Sequence, residues 1–188
     1  ADQIEDMSTR VPQSAKQLAD GLYDAISAGI REPAQALEVV ETAAKAAQAG
    51  MSDTATAVDA LTTVLNSYGM AASEAGAITD VMFRTVDLGK ITFGELANNL
   101  GQVVSTAAAA NVPFEQIAAA FATLTRGGIN AAEASTALNQ AILAIINPSE
   151  QASQYAAQLG IEFNATALQS KGLVAVLDEV ERATGGNI

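Results

Sequence analysis

The chain has no cysteine, no histidine and no tryptophan. Without cysteine there is no disulfide framework and no thiolate nucleophile, and without histidine as well the usual zinc ligand sets are gone. A Ser-His-Asp triad is excluded for the same reason. Aromatic residues make up 4% and charged residues 16% of the 188 positions. Long apolar runs are missing too. The longest uncharged stretch, Leu96 to Phe114, is broken up by Asn98, Asn99, Gln102, Ser105, Thr106 and Pro113, so it reads as a buried helix and not as a membrane span. No secretory signal is expected at a start as acidic as Ala1-Asp2-Gln3-Ile4-Glu5-Asp6. The first residue is not Met and the last four are Gly185-Gly186-Asn187-Ile188, so a segment of a longer protein is expected.

Positive charge is also scarce: 9 Lys and Arg stand against 21 Asp and Glu, a net charge of −12. An acidic surface repels phosphate backbones and anionic headgroups, so neither nucleic acid nor a membrane is expected as a partner of this segment. The basic residues do not form a patch. Arg10, Lys16 and Arg31 occupy separate turns, while Arg84 and Lys90 flank a helix end, where cations are favoured. The simplest role of the acidic excess is solubility.

What is abundant is alanine, 41 of the 188 residues, within an apolar content of 49%. Alanine is the best helix former and lets helices approach closely, so the composition points to a packed set of thin helices. A recurring punctuation supports this. Gly29-Ile30 precedes Pro33, Gly50-Met51 precedes Ser52, Gly69-Met70 precedes Ser73, and Gly89-Lys90-Ile91 precedes Thr92. Asn111-Val112-Pro113, Gly128-Ile129-Asn130 and Gly160-Ile161 with Asn164 continue the pattern. A left-handed Gly or Asn closes a helix, the apolar residue after it packs back on the last turn, and a short oxygen-bearing side chain caps the next helix. Gly29, Gly50, Gly69, Gly89, Asn111, Gly128 and Gly160 are therefore the candidate structural turn residues. Acids following the caps, as in Ser73-Glu74, Thr92…Glu95 and Asn130…Glu133, suit the positive end of a helix dipole.

Between these stops the apolar spacing is helical, as in Leu18, Leu22, Ala25 and Ile26, or Val58, Leu61, Val64, Leu65 and Tyr68. Nine such stripes occur, one of them running from Leu96 through Ala107, and no period-2 alternation is found. The expected fold is all-α, with about nine short antiparallel helices in stacked helical hairpins, a compact or mildly elongated bundle. Ile145-Ile146-Asn147-Pro148-Ser149 breaks the regularity. It divides a main hairpin body, residues 1–147, from a C-terminal helical unit, 148–188, packed on it, unless the two form one continuous domain.

Candidate chemistry is thin. Glu38 and Glu41, like Asp178 and Glu181, lie three apart on one helix face, which without burial makes solvated faces and not an acid–base pair. Gly127-Gly128-Ile129-Asn130 lacks the Lys-Ser/Thr of a phosphate loop and reads as a helix end. Gly101 inside a helical pattern marks a close helix crossing. No catalytic residue, cofactor site or metal site is assigned, and the chain reads as a non-enzyme.

Four stretches carry a family resemblance in their order and spacing: Leu18 to Gly29, Asp59 to Gly69, Val86 to Leu96, and Ala118 to Ile129 with its continuation through Glu133, Ala134, Ala137 and Leu138. Together they resemble the core region of phage tail tape measure (phage-related minor tail) proteins, across nearly the whole chain. The resemblance implies a structural part in tail assembly and tail length determination. It implies contacts with tail tube and tail-tip or baseplate proteins, with self-association possible, in the virion tail lumen and, during assembly, the host cytoplasm, whether the genome is that of a phage or a prophage. A helix of 188 residues spans at most about 280 Å, and this one is interrupted about every twenty residues, so a folded module at assembly initiation or at a tail end is expected and not the ruler itself. The alternative is a helical adaptor that binds a partner helix, for which the Ala107–Ala110 face is a candidate strip.

Overall fold

The computed structural model describes residues 2–185, so Ala1 and the final positions 186–188, on which the reading of cut ends partly rests, lie outside the described residues. Twelve α-helices and no strand occur among the described residues. They are α1 (Asp2–Arg10), α2 (Ala15–Ser27), α3 (Pro33–Ala49), α4 (Thr54–Tyr68), α5 (Ala75–Leu88) and α6 (Phe93–Asn99). The second half holds α7 (Gly101–Ala109), α8 (Phe114–Arg126), α9 (Ala131–Ile146), α10 (Glu150–Leu159), α11 (Ala165–Lys171) and α12 (Leu173–Thr184). A 3₁₀ turn, Ala72–Glu74, leads into α5.

The count of about nine is corrected at three places. The polar first helix, α1, carries too few apolar residues to register as a stripe, yet it buries Met7. The short α11 buries only Ala167 and Leu168. The Leu96–Ala107 stripe is two helices, α6 and α7, that meet at Leu100, which itself keeps helical dihedrals of φ −73° and ψ −33°. Here Asn98 and Asn99 turn their side-chain amides onto the carbonyls of Gly94 and Glu95, both at 2.8 Å, and compete with the ladder as Asn does inside helices.

The interior is built mostly from methyl groups. α3 buries Ala36, Ala43, Ala44, Ala46 and Ala47 along one side, and that face lies on α4. α4 is central, packing against α2, α3, α5, α6 and α7, and it buries Val58, Leu61, Val64 and Leu65. Small residues on one helix and branched ones on the next let the layers approach closely while filling the gap between them. One continuous core runs from Met7 through Ile117 and Phe121 to Leu168, Leu173 and Val176. α11 and α12 thus share the core of the preceding helices, whereas α10 buries Ala156 alone.

The expected close crossing at Gly101 is not found: a Cβ added there would meet nothing within 4 Å. The crossing glycine is Gly21 on α2, where a Cβ would lie 3.5 Å from Val58 and 3.6 Å from both Thr54 and Val40. The Ala107–Ala110 strip is corrected as well, because Ala107 and Ala110 belong to the core. The helix registers that send them inward are set by Val103, Val104 and Val112, all fully buried around them.

Candidate functional site

The seven turn residues are where sequence and geometry meet most directly. Gly29, Gly69, Gly128 and Gly160 have positive φ, as does Asn111 at φ 56°. At each, the following apolar residue reaches back five positions: Ile30 to Ala25 at 3.1 Å, Met70 to Leu65 at 2.8 Å, Val112 to Ala107 at 2.8 Å, Ile129 to Leu124 at 3.2 Å and Ile161 to Ala156 at 3.0 Å. These amide-to-carbonyl bonds satisfy helix-end carbonyls that would otherwise lack a donor.

Gly50 and Gly89 differ, and their expected left-handed role is corrected. Gly50 has φ −89°; the positive φ falls on Met51, at 48°, and the amide of Ser52 closes the turn on Ala47 at 2.8 Å. The stop has slid one residue along. A Cβ on Gly50 would come within 2.6 Å of Phe93 Cβ, so glycine is required there by contact and not by dihedral. Gly89 is extended, and a Cβ on it would lie 2.6 Å from Thr125 Oγ1, which accepts a hydrogen bond from the amide of Lys90 at 3.3 Å.

The helix starts use side chains. Thr92 and Glu95 form a reciprocal capping box: the Glu95 amide donates to Thr92 Oγ1 at 3.2 Å and the Thr92 amide to Glu95 Oε2 at 2.9 Å. The Thr92 amide, with its hydroxyl next, holds the Glu95 carboxyl below the usual carboxylate range. The cap of α4 is Asp53 and not Ser52; its Oδ1 accepts the Thr56 amide at 2.8 Å, and that bond, with the Thr56 hydroxyl next, lowers its pKa. Ser73 is no cap, since it sits inside the 3₁₀ turn, where Glu74 accepts the Ala71 amide at 2.7 Å. Asn130 and Asn164 cap α9 and α11, accepting the amides of Glu133 and Ala167, both at 2.9 Å.

Distant side chains complete other ends. Asn66 Nδ2 donates to the carbonyl of Ala28 at 2.7 Å, across to the close of α2. Tyr68 donates its hydroxyl to Val112 at 2.8 Å, and its burial first, then Glu115, pushes the phenol above its ordinary ionisation range. Gln116 on α8 accepts the amide of Leu173 at 2.8 Å and fixes the start of α12 beside Gly172, whose φ of +83° calls for glycine.

Glu41 binds Lys45 at 2.8 Å and Arg10 at 2.7 Å, which ties α1 to α3. The Lys45 hydrogen bond lowers its pKa against the opposing effect of burial. Glu38, Asp178 and Glu181 are exposed. Among the described residues there is no group of three or more acidic, His or Cys side chains placed to hold a metal, and no helix is long and apolar enough to cross a membrane.

Among several surface depressions, two adjoining ones form a groove along the seam of α5 and α8. One end is lined by Met70, Ala77 and Phe114 and the other by Leu88, Ala119 and Ala122; both are lined by Val81 and Glu115, where they meet.

The sequence matches the model of the family described as phage-related minor tail protein over residues 1–187. It is 35% identical over 117 residues to a probable tape measure protein of Clostridium phage phiCD119, an alignment covering 61% of this chain and 12% of that relative. The chain thus matches only about an eighth of the relative's length. No solved structure matches it.

Proposed function

We propose, from the premise that this chain belongs to the phage-related minor tail protein family, that it is a folded helical module of a tape measure protein acting in tail assembly and tail length determination. The family's description as phage-related minor tail protein supports a structural part in the virion tail among other tail proteins. The finer reading puts the module in the tube lumen, and in the host cytoplasm while tails are built. There it contacts tail tube and tail-tip or baseplate proteins, with self-association possible, and it performs no catalysis and binds neither cofactor, nucleic acid nor membrane. In the proposed arrangement the short helices stack as antiparallel hairpins, and residues 148–188 form a unit packed on the body of residues 1–147 or make one continuous domain with it.

The observation that carries this reading is helix length. The longest helix, α3, has 17 residues and rises only about 25 Å, so length along a tail is not what this segment supplies. Its product is a shaped surface at one place. The test is an in-frame deletion of these residues from the phage gene, with tails counted and measured by electron microscopy. Loss of assembled tails is the expected outcome. Normal numbers of tails, shortened only in proportion to the deletion, would assign the segment to the ruler.

A further inference from the structure

We propose that the α5–α8 groove docks an amphipathic helix whose apolar face is flanked by basic side chains. The α8 side is low: Ala118 and Ala122 are buried beneath it and the exposed Ala119 projects only a methyl group, so an incoming helix meets a flat surface. The opposite wall is taller: Val81 and Leu88 stand on α5 two turns apart, and Leu88 is 48% exposed, a large apolar side chain left to water beside an apolar channel. α5 has 14 residues and is about 21 Å long, enough to receive roughly four turns of a partner helix.

The rim identifies the occupant. Asp80 and Glu115 are acidic and Arg84 is basic, and among the described residues none of the three enters an intramolecular ion pair. Two acids at the edge of an apolar groove favour a helix with Lys or Arg beside its apolar stripe. Arg84 favours one acid on that helix and thereby sets its direction. A second copy of this chain, itself carrying a net charge of −12, is disfavoured by like-charge repulsion. The proposal names what docks and does not depend on where in the tail the module sits.

The test titrates the whole chain, by fluorescence anisotropy, into a labelled synthetic helix of about four turns with Leu at helical repeats and Lys on both flanks. A matched peptide with Glu on both flanks is the control. Saturable binding of the Lys peptide, weakened by salt, with no binding of the Glu peptide is expected. Ala119→Gln fills the groove from an exposed position and should weaken binding by about tenfold or more with the circular dichroism spectrum unchanged. Asp80→Asn with Glu115→Gln should weaken it roughly two- to fivefold. Equal binding of both peptides, no binding, or affinity indifferent to Ala119→Gln would overturn the proposal. So would a concentration-dependent dimer abolished by Ala119→Gln, which would give the groove to a second copy.

Discussion

Ser135 on α9 donates its hydroxyl to the carbonyl of Asn99 at 2.6 Å, and Asn99 is the last residue of α6. In an unbroken helix that carbonyl would accept the amide of Val103. The break between α6 and α7 is therefore completed by a side chain 36 residues away, on a helix that packs against both.

Ser135→Ala leaves that carbonyl without its donor and should destabilise the fold by about 1–3 kcal/mol. At the same break, Gly101→Ala adds a methyl group into open space and should stabilise by about 0.5–1 kcal/mol. Urea denaturation read by circular dichroism separates the two, and opposite signs are the expected result.

The Gly50–Met51 turn makes a second pair of opposite effects. Gly50→Ala forces a Cβ against Phe93 and should cost about 1–3 kcal/mol, as overpacking does. Met51→Gly relieves a left-handed methionine that is 96% exposed and loses no packing. It should stabilise by about 0.5–1 kcal/mol, because glycine's extra freedom in the unfolded chain offsets part of the relief. A left-handed stop at Gly50 would instead make Met51→Gly neutral or harmful, and thermal melts of the two variants decide between these accounts.

These positions mark how far the residues alone could be read. Helical class, the caps at Thr92, Asn130 and Asn164 and the stops at Gly69 and Gly160 rest on partners within six positions, so local pattern exposes them. The demand for glycine at position 50 comes from Phe93, more than forty residues on, and the donor that completes the α6–α7 break comes from Ser135. Gly101 and Gly89 show the same limit from the other side. One glycine at a helix start faces open space, while another at a helix end is crowded by Thr125 from α8. The α5–α8 groove left no trace in the sequence, because its alanines look like every other alanine until the helices are placed.

Acid should weaken the fold through its caps. The carboxyls of Asp53 and Glu95 are held below their usual values in the folded chain, so their stabilisation is fully present above the ordinary carboxylate range. It is lost as pH falls through the depressed folded values. The urea midpoint should drop between about pH 5 and pH 3. The double variant Asp53→Asn, Glu95→Gln should show a flatter profile over that window. A variant profile parallel to that of the parent chain would remove these two caps from the account.

Small-angle X-ray scattering of the chain in dilute solution tests the central claim, that short helices fold back on one another and make a module in place of a length of rod. A folded domain of this size has a radius of gyration of about 16 Å. One continuous helix of about 280 Å would give roughly 80 Å. The folded arrangement predicts a value close to the first, and a value approaching the second would contradict it.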